Sequence, residues 1–154
     1  MPLLDFLSPE AIAPSLKANS KKQALQDLAA QAARLTGRDG REIFDTLLQR
    51  ERLGSTGIGE GIAIPHGKLP KLGNLFGLFA RLEKPIDFDA LDGEPVDMLF
   101  LLLAPDGAGA DHLKALARVA RVLREPGIHD RIRAARDANA VYAVLTQEPT
   151  PRAA

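Results

Sequence analysis

The chain has 154 residues, a formal net charge of zero from 20 basic and 20 acidic residues, and no cysteine. A neutral balance argues against nucleic acid as the main partner, because phosphate backbones select basic surfaces. The absence of cysteine excludes disulfide frameworks and thiolate chemistry. The most apolar run, residues 99–104, is too short to span a bilayer, and residues 1–5 lack the features of a signal peptide. We therefore expect one cytoplasmic domain with no membrane insertion.

Helices are predicted in the first third of the chain. Residues 3–14 are expected to form an irregular or short extended segment, because two prolines interrupt it. The Ser-Lys-Lys-Gln pattern at residues 20–23 is a capping box, and the apolar face that follows it predicts a helix ending at Gly37. A second capping box, Asp-Gly-Arg-Glu at residues 39–42, predicts another helix that ends near residues 53–54.

Buried strands are predicted in the middle of the chain. Residues 62–64 form a short apolar strand, and residues 75–82 and 96–104 are two longer apolar runs. Continuous apolar runs are typical of strands that are covered on both faces of a sheet. The Asp-Gly pair at residues 92–93 predicts a turn between the two longer strands.

The last third is predicted to be helical. A loop at residues 105–110 leads to a helix capped by Asp111 and ended by the Pro-Gly pair at residues 126–127. A short helix with Ile128 and Ile132 follows, and Asp137 is the expected N-cap of a final helix. The residues predicted to face inward on the first of these helices are Leu113, Leu116, Ala117, Ala120 and Leu123.

The alternation of helices and buried strands indicates an α/β layer architecture. We expect a single domain at residues 1–147, because a chain of 154 residues is the size of one ordinary domain. No repeat of solenoid period is evident in the sequence. The tail at residues 148–154 contains two prolines and is predicted to be disordered.

One segment, residues 54–68, requires an explanation beyond folding. Four glycines fall within eight residues at its start, which is costly in backbone entropy and suits a loop that approaches a ligand or partner closely. Pro65 fixes the approach to His66, and Gly67 leaves open space after it. A rigidly presented neutral imidazole is a good acceptor for a phosphoryl group, because its reference pKa lies close to neutral pH.

The spacing of this segment resembles a known signature. Glu51 is followed by six residues, then Ile-Gly at 58–59, two more residues, and Ile-Ala-Ile-Pro-His-Gly at 62–67. This pattern is similar to the active-site signature of enzyme IIA domains of the fructose and mannitol class, in the bacterial phosphoenolpyruvate-dependent phosphotransferase system. The run at 52–59 resembles the nitrogen-regulatory branch in particular, and the segments at 85–89, 95–100 and 111–113 also resemble the family. The resemblance covers residues 3–147 and implies a mixed, mostly parallel β-sheet flanked by helices on both faces.

The resemblance implies roles for three side chains. His66 would accept the phosphoryl group, His112 would stabilise it from the first turn of a helix, and Arg52 would neutralise its oxygens. Lys68 either attracts an anionic partner or is simply exposed, and His129 is expected to be a surface residue. The supporting positions in the loop are Ser55, Thr56, Gly57, Gly59 and Gly67.

Three competing motifs are incomplete. The glycines at 57–61 precede a strand, whereas a dinucleotide fingerprint requires a preceding strand and a following helix. The segment at 61–68 has the wrong spacing for a phosphate-binding P-loop, and Leu69 stands where that motif requires Ser or Thr. A zinc site at His66 and His112 would lack a close ligand pair. We therefore expect no metal and no organic cofactor.

The sequence thus predicts a histidine phosphocarrier of the nitrogen-type phosphotransferase system. The resemblance implies that a small carrier protein similar to HPr phosphorylates it, and that its phosphorylation state regulates targets such as transporters or sensor kinases. The leading competing interpretation is a sugar-transport enzyme IIA subunit that passes phosphate to a permease-linked carrier. A second is a pure binding regulator in which phosphorylation merely switches docking, and a third is a metal hydrolase.

Overall fold

The computed structural model describes residues 1–147, and the tail predicted at residues 148–154 lies outside the described residues. The described part contains one short 3-10 helix, six β-strands and five α-helices. In chain order these are the 3-10 helix Leu3–Asp5, β1 Leu7–Leu16, α1 Lys21–Thr36, α2 Gly40–Arg52, β2 Gly57–Gly59, β3 Ile62–Ala63, β4 His66–Leu69, β5 Phe76–Ile86, β6 Val96–Pro105, α3 Ala110–Leu123, α4 Ile128–Ala134 and α5 Ala138–Thr146.

The prediction of an irregular or short extended segment at residues 3–14 is wrong, because a ten-residue strand, β1, lies there. Strand β1 continues through Pro9 and Pro14 and extends to Leu16. It lies at the edge of the sheet and pairs with β5 alone, and this pairing has register shifts. Proline is tolerated there because an edge strand leaves one row of its backbone N–H groups without a ladder partner.

The two predicted helix starts differ in detail. The Ser20 hydroxyl accepts a hydrogen bond from the Gln23 amide, and α1 ends at Gly37, which adopts the left-handed conformation with φ of 71°. The predicted start and end of α1 are confirmed, although the Gln23 side chain accepts from the amide of Asn19, one residue before the N-cap, at 2.8 Å. The Asp39 carboxylate caps α2 through the amide of Arg41, not through a reciprocal box with residue 42. The second capping box is therefore only a simple N-cap.

The sheet is mixed, as the resemblance implied. Its strand order is β1-β5-β6-β3-β2, and β4 also pairs with β6. The pairs β1/β5, β3/β6 and β4/β6 are parallel, whereas β5/β6 and β2/β3 are antiparallel. Parallel pairings thus outnumber antiparallel ones, although the two longest central strands run antiparallel to each other.

Helices cover both faces of this sheet. Every residue of β6 from Met98 to Ala104 is buried, which requires cover on both faces because alternate side chains point in opposite directions. Helices α1 and α2 pack on each other, α2 packs against β4, and α5 packs against β1. None of the helices in residues 1–147 combines the length and apolarity that a membrane crossing requires. The predicted α/β class is confirmed.

Helix α3 begins two residues earlier than predicted, and its buried face also differs from the predicted one. Gly109 stands at its N-cap, so Asp111 is already inside the first turn and does not cap the helix. Leu113 is 69% exposed rather than inward. The residues that α3 buries are His112, Ala115, Val119, Val122 and Leu123. His112 therefore lies on the buried face of α3.

Candidate active site

His66 lies at the junction of a loop and the central sheet. It is the first residue of β4 and stands opposite Leu102 of β6, in a parallel pair. The carbonyl of the preceding Pro65 accepts a hydrogen bond of 3.0 Å from the Leu102 amide. The backbone on both sides of His66 is therefore anchored to β6, while its imidazole is half-buried. This anchoring fixes the position of the backbone that carries the imidazole ring.

One nitrogen of the His66 ring is held by a hydrogen bond to the backbone. The Nδ1 atom lies 2.8 Å from the carbonyl oxygen of Ile64. A carbonyl oxygen can only accept, so the neutral ring carries its proton on Nδ1 and donates it. The lone pair of the neutral ring then resides on Nε2, which is the nucleophilic atom in this geometry.

Arg50 is the cation in contact with that nucleophilic atom. Its Nε atom lies 3.3 Å from His66 Nε2 and donates toward it, and its Nη1 atom donates to the Gly54 carbonyl at 2.9 Å. The second hydrogen bond holds the guanidinium against the start of the glycine loop. A guanidinium in this position can bind the oxygens of a phosphoryl group attached to Nε2.

His112 completes the polar surroundings of His66. The two rings meet edge to face, with centroids 5.6 Å apart and planes at 68°. His112 is 7% exposed, and its Nε2 atom has no hydrogen-bond partner within residues 1–147. A buried ring nitrogen without a partner is costly, so this nitrogen is available for a hydrogen bond to a further group.

The site disfavours protonation of both rings. Burial lowers the pKa of His66, with a smaller lowering from Arg50, whereas the hydrogen bond to Ile64 and the charge of Glu51 act in the opposite direction. Burial also lowers the pKa of His112, helped by His66 and Lys68. A lowered pKa keeps the imidazole neutral and nucleophilic at neutral pH. Lys68 is exposed yet acts on the site through its charge.

The structure does not bring all of the predicted residues together. Arg52 is exposed at the end of α2, and no hydrogen bond or ion pair in residues 1–147 joins it to His66. The Ser55 hydroxyl donates to the Phe88 carbonyl, and the Thr56 hydroxyl donates to Glu51. Both hydroxyls therefore hold the loop in place instead of facing an open ligand site.

Two glycines of this segment, Gly57 and Gly67, are explained by close packing within the fold. A Cβ atom on Gly57 would lie 2.8 Å from the Ala90 Cβ, and one on Gly67 would lie 2.5 Å from the Thr46 Cγ2. Gly67 therefore does not border open space, as the sequence suggested, but lets β4 approach α2. Gly59 has φ of 98°, which side chains with a Cβ atom rarely adopt.

The third histidine lies elsewhere. The Nε2 atom of His129 bonds to the Leu123 carbonyl at 2.9 Å, and the residue is half-buried rather than a free surface residue. In the described part of the chain, no group of three or more His, Cys, Asp or Glu side chains is arranged to hold a metal ion.

Sequence reasoning missed Arg50, although a signal for it existed. Helix α2 buries Ile43, Leu47 and Glu51, which are spaced four residues apart. Arg50 follows Leu47 by three residues and so lies beside this buried face. Arg52 follows Leu47 by five residues and points away from it. The helical period thus favours the arginine that the motif comparison passed over.

Comparison with known proteins agrees with this site and fold. The family model described as "Phosphoenolpyruvate-dependent sugar phosphotransferase system, EIIA 2" matches residues 5–148. A match over nearly the whole chain shows that this protein belongs to the enzyme IIA type 2 family of that system.

Similar proteins narrow the resemblance to one branch of the family. A nitrogen regulatory protein from Bradyrhizobium diazoefficiens is 64% identical over 153 residues, covering 99% of this chain and 100% of the relative. Another from Pseudomonas aeruginosa is 42% identical over 144 residues, covering 93% and 94%. The crystal structure of nitrogen regulatory protein IIA-Ntr from Neisseria meningitidis superposes with a TM-score of 0.88 at 33% identity, covering 94% of this chain and 99% of that chain. The predicted resemblance to the nitrogen-regulatory branch is confirmed.

Proposed function

We propose that this protein is a histidine phosphocarrier of the nitrogen-type phosphotransferase system, and that His66 Nε2 is its phosphoryl acceptor. The observation that carries the proposal is the fixed ring of His66. Its Nδ1 proton is held by the Ile64 carbonyl, and its Nε2 atom faces Arg50. Membership of the enzyme IIA family supports the same reaction.

In the proposed reaction, the donor is a phosphohistidine on a small carrier protein similar to HPr. The lone pair of His66 Nε2 attacks phosphorus, and the bond from phosphorus to the donor's ring nitrogen breaks as the new bond forms. The Nδ1 proton stays on the ring under the Ile64 carbonyl, so the nucleophile needs no prior deprotonation. Positioning and charge stabilisation are the main requirements of phosphoryl transfer, and the fold supplies both at this ring.

Arg50 and His112 are proposed to stabilise the transferred group. The Arg50 guanidinium would move from Nε2 to the phosphoryl oxygens, where it can make charge-assisted hydrogen bonds. The unpartnered Nε2 of His112 would donate to a second oxygen from the neutral tautomer that carries its proton on that atom. Arg52 remains a proposed contributor to the wider positive potential, since its exposed position favours approach of an anionic partner over contact with phosphate.

We further propose that phosphorylation state controls binding to regulatory targets in the cytoplasm, such as transporters or sensor kinases. Phosphate adds roughly −1.5 to −2 charges at His66. A target that buries the surface around His66 would have to desolvate or pair this charge. The names of the relatives support regulation over sugar transport.

The test is an assay of phosphoryl acceptance with purified components. Wild type, incubated with phosphoenolpyruvate, the first enzyme of the system and the HPr-like carrier, should gain one acid-labile and alkali-stable phosphate. His66→Ala should gain none, and the matched control His129→Ala should behave as wild type. Stoichiometric labelling of His66→Ala would exclude His66 as the acceptor.

A second assay separates regulation from sugar transport. Deletion of the gene should leave phosphoenolpyruvate-dependent uptake of fructose and mannitol unchanged if the protein is a regulator. Loss of uptake that is restored by wild type but not by His66→Ala would establish sugar transport as the function instead.

A further inference from the structure

A buried carboxylate lies beneath the glycine loop, outside the group of side chains that faces the proposed phosphoryl group. Glu51 is in the last turn of α2 and is 7% exposed. In residues 1–147, only two other polar or charged residues, Thr56 and His112, are as fully buried. A buried carboxylate requires partners for both of its oxygens.

Both oxygens of Glu51 are paired. Its Oε1 atom accepts from the Thr56 amide at 3.0 Å and lies 3.0 Å from the Lys21 ammonium, and its Oε2 atom accepts from the Thr56 hydroxyl. Lys21 is the first residue of α1 and lies 4.8 Å above the centre of the Phe88 ring. The pair therefore joins α1, α2 and the loop at one point.

Stability alone is a weak explanation for such a pair. Removing two charges from water costs free energy that their attraction only partly offsets, and apolar replacements of similar volume are often as stable. A role in positioning explains why charge is kept at this place.

Two hydrogen bonds connect Thr56 to the ring of His66. The Thr56 carbonyl accepts from the Ile64 amide at 3.0 Å, and the Ile64 carbonyl accepts the Nδ1 proton of His66 at 2.8 Å. Glu51 thus fixes Thr56, Thr56 fixes the backbone of Ile64, and Ile64 selects the tautomer of the ring. The path contains no exposed side chain that could readjust in solvent.

We propose that Glu51 is a positioning residue for phosphoryl acceptance, and that its buried carboxylate, held by Lys21, keeps His66 in the tautomer with the proton on Nδ1. The purpose of this device rests on the proposed function of His66. Its existence does not, because the tautomer is a property of the unphosphorylated protein.

The charge of Glu51 adds to the geometry. It raises the pKa of His66, whereas Arg50 lowers it, so the carboxylate offsets part of the effect of the neighbouring guanidinium. Loss of this charge should therefore lower the pKa of His66 further, in addition to loosening its ring.

The tautomer can be measured directly from the ¹⁵N chemical shifts of the imidazole nitrogens. We would compare wild type with Glu51→Gln, Thr56→Val and Thr56→Ser. The matched control is Asp45→Asn, which neutralises an exposed carboxylate on the same helix. Amide spectra and thermal melts establish that each variant is folded.

Glu51→Gln should reduce the fraction of His66 with its proton on Nδ1, lower the pKa of His66, and slow phosphoryl acceptance by up to about a hundredfold, the scale produced by an ångström of misplacement. Thr56→Val should shift the tautomer population in the same direction but by less, because the backbone amide of residue 56 still donates a hydrogen bond to Glu51. Thr56→Ser should restore the wild-type spectrum, and Asp45→Asn should not alter it.

Wild-type nitrogen shifts at His66 in folded Glu51→Gln and Thr56→Val would overturn the inference. If Glu51→Gln does not fold, the comparison of Thr56→Val with Thr56→Ser decides in the same way. If the variants change the tautomer of His66 but wild type never accepts phosphate, the proposed function is refuted, while the role of Glu51 in fixing the tautomer stands. If the variants keep the wild-type tautomer and wild type accepts phosphate, only the positioning role of Glu51 is refuted.

Discussion

The two histidines of the site are held in opposite ways. His66 has both ring nitrogens engaged, one by the Ile64 carbonyl and the other by Arg50. His112 is more deeply buried, yet its Nε2 atom has no partner in the described part of the chain. The first ring is oriented by hydrogen bonds and the second by helix packing. A nucleophile needs a fixed lone pair, whereas a stabilising group needs an available donor, and this difference supports the roles proposed for the two rings.

The largest expected effect comes from removing the Arg50 contact that holds the ring of His66. Arg50→Gln should reduce the rate of phosphoryl transfer to His66 by about a hundredfold or more, as removal of one preorganised donor does. Rapid-mixing measurement of transfer from the HPr-like carrier would give the rate.

Arg52→Gln is the matched control for this prediction. Because Arg52 is exposed and makes no hydrogen bond or ion pair with His66 within residues 1–147, its replacement should alter the activation free energy of phosphoryl transfer by no more than about 0.5 kcal/mol. Equal losses in the two variants would mean that long-range potential, not contact with Arg50, governs transfer.

The next largest effect tests His112, the ring whose Nε2 atom has no partner in the described residues. His112→Ala should keep the fold and still accept phosphate on His66, but lose on the order of 2 kcal/mol of transition-state stabilisation. Rates of transfer measured in both directions check this prediction. Wild-type rates in both directions would show that the unpartnered nitrogen of His112 has no role in transfer.

A smaller effect concerns the packing that anchors His66. A methyl group at residue 67 would lie 2.5 Å from the Thr46 Cγ2, so Gly67→Ala should destabilise the fold by on the order of 1 kcal/mol or more through overpacking. Gly73→Ala is the control, since a Cβ atom there meets nothing within 4 Å. Urea unfolding of both variants gives the difference, and equal stability would contradict the packing explanation of Gly67.

The smallest effect is the dependence of stability on pH. The pKa values of His66 and His112 are lowered in the fold, mainly by burial. The unfolded chain therefore binds more protons near the ordinary histidine pKa of about 6.5. The stabilising contribution is present above that value and is lost as the pH falls below it. Urea unfolding of wild type and His112→Gln at pH 7.5 and pH 5.5 should show a smaller loss on acidification in the variant.

The helices and the central strands were determined by local sequence. Ser20, Gly37 and Asp137 act as caps in the positions where the sequence predicted them. The apolar run of β6 was identified because a strand covered on both faces has no polar alternation. These features depend on neighbours in the chain, so the sequence alone is sufficient to predict them.

Other features depend on partners that are distant in the chain. The edge position of β1 makes its prolines acceptable, and no local pattern reveals which strand lies at an edge. Helix α3 was predicted with Leu113 and Leu116 inward, but it buries His112 and Ala115 instead. Neighbouring helix positions point about 100° apart, and only the packing of α3 on the rest of the fold decides that Leu113 is exposed and His112 is buried.

The site shows the same division. The sequence by itself identified His66 and His112 as candidates and indicated the family, because those residues lie in motifs with characteristic spacing. The helical period places Arg50 beside the buried face of α2, but only the tertiary structure showed its contact with His66 and connected Glu51 to that ring. Hydrogen bonds of about 3 Å between separate elements decide such roles, and the order of residues along the chain does not encode those distances directly.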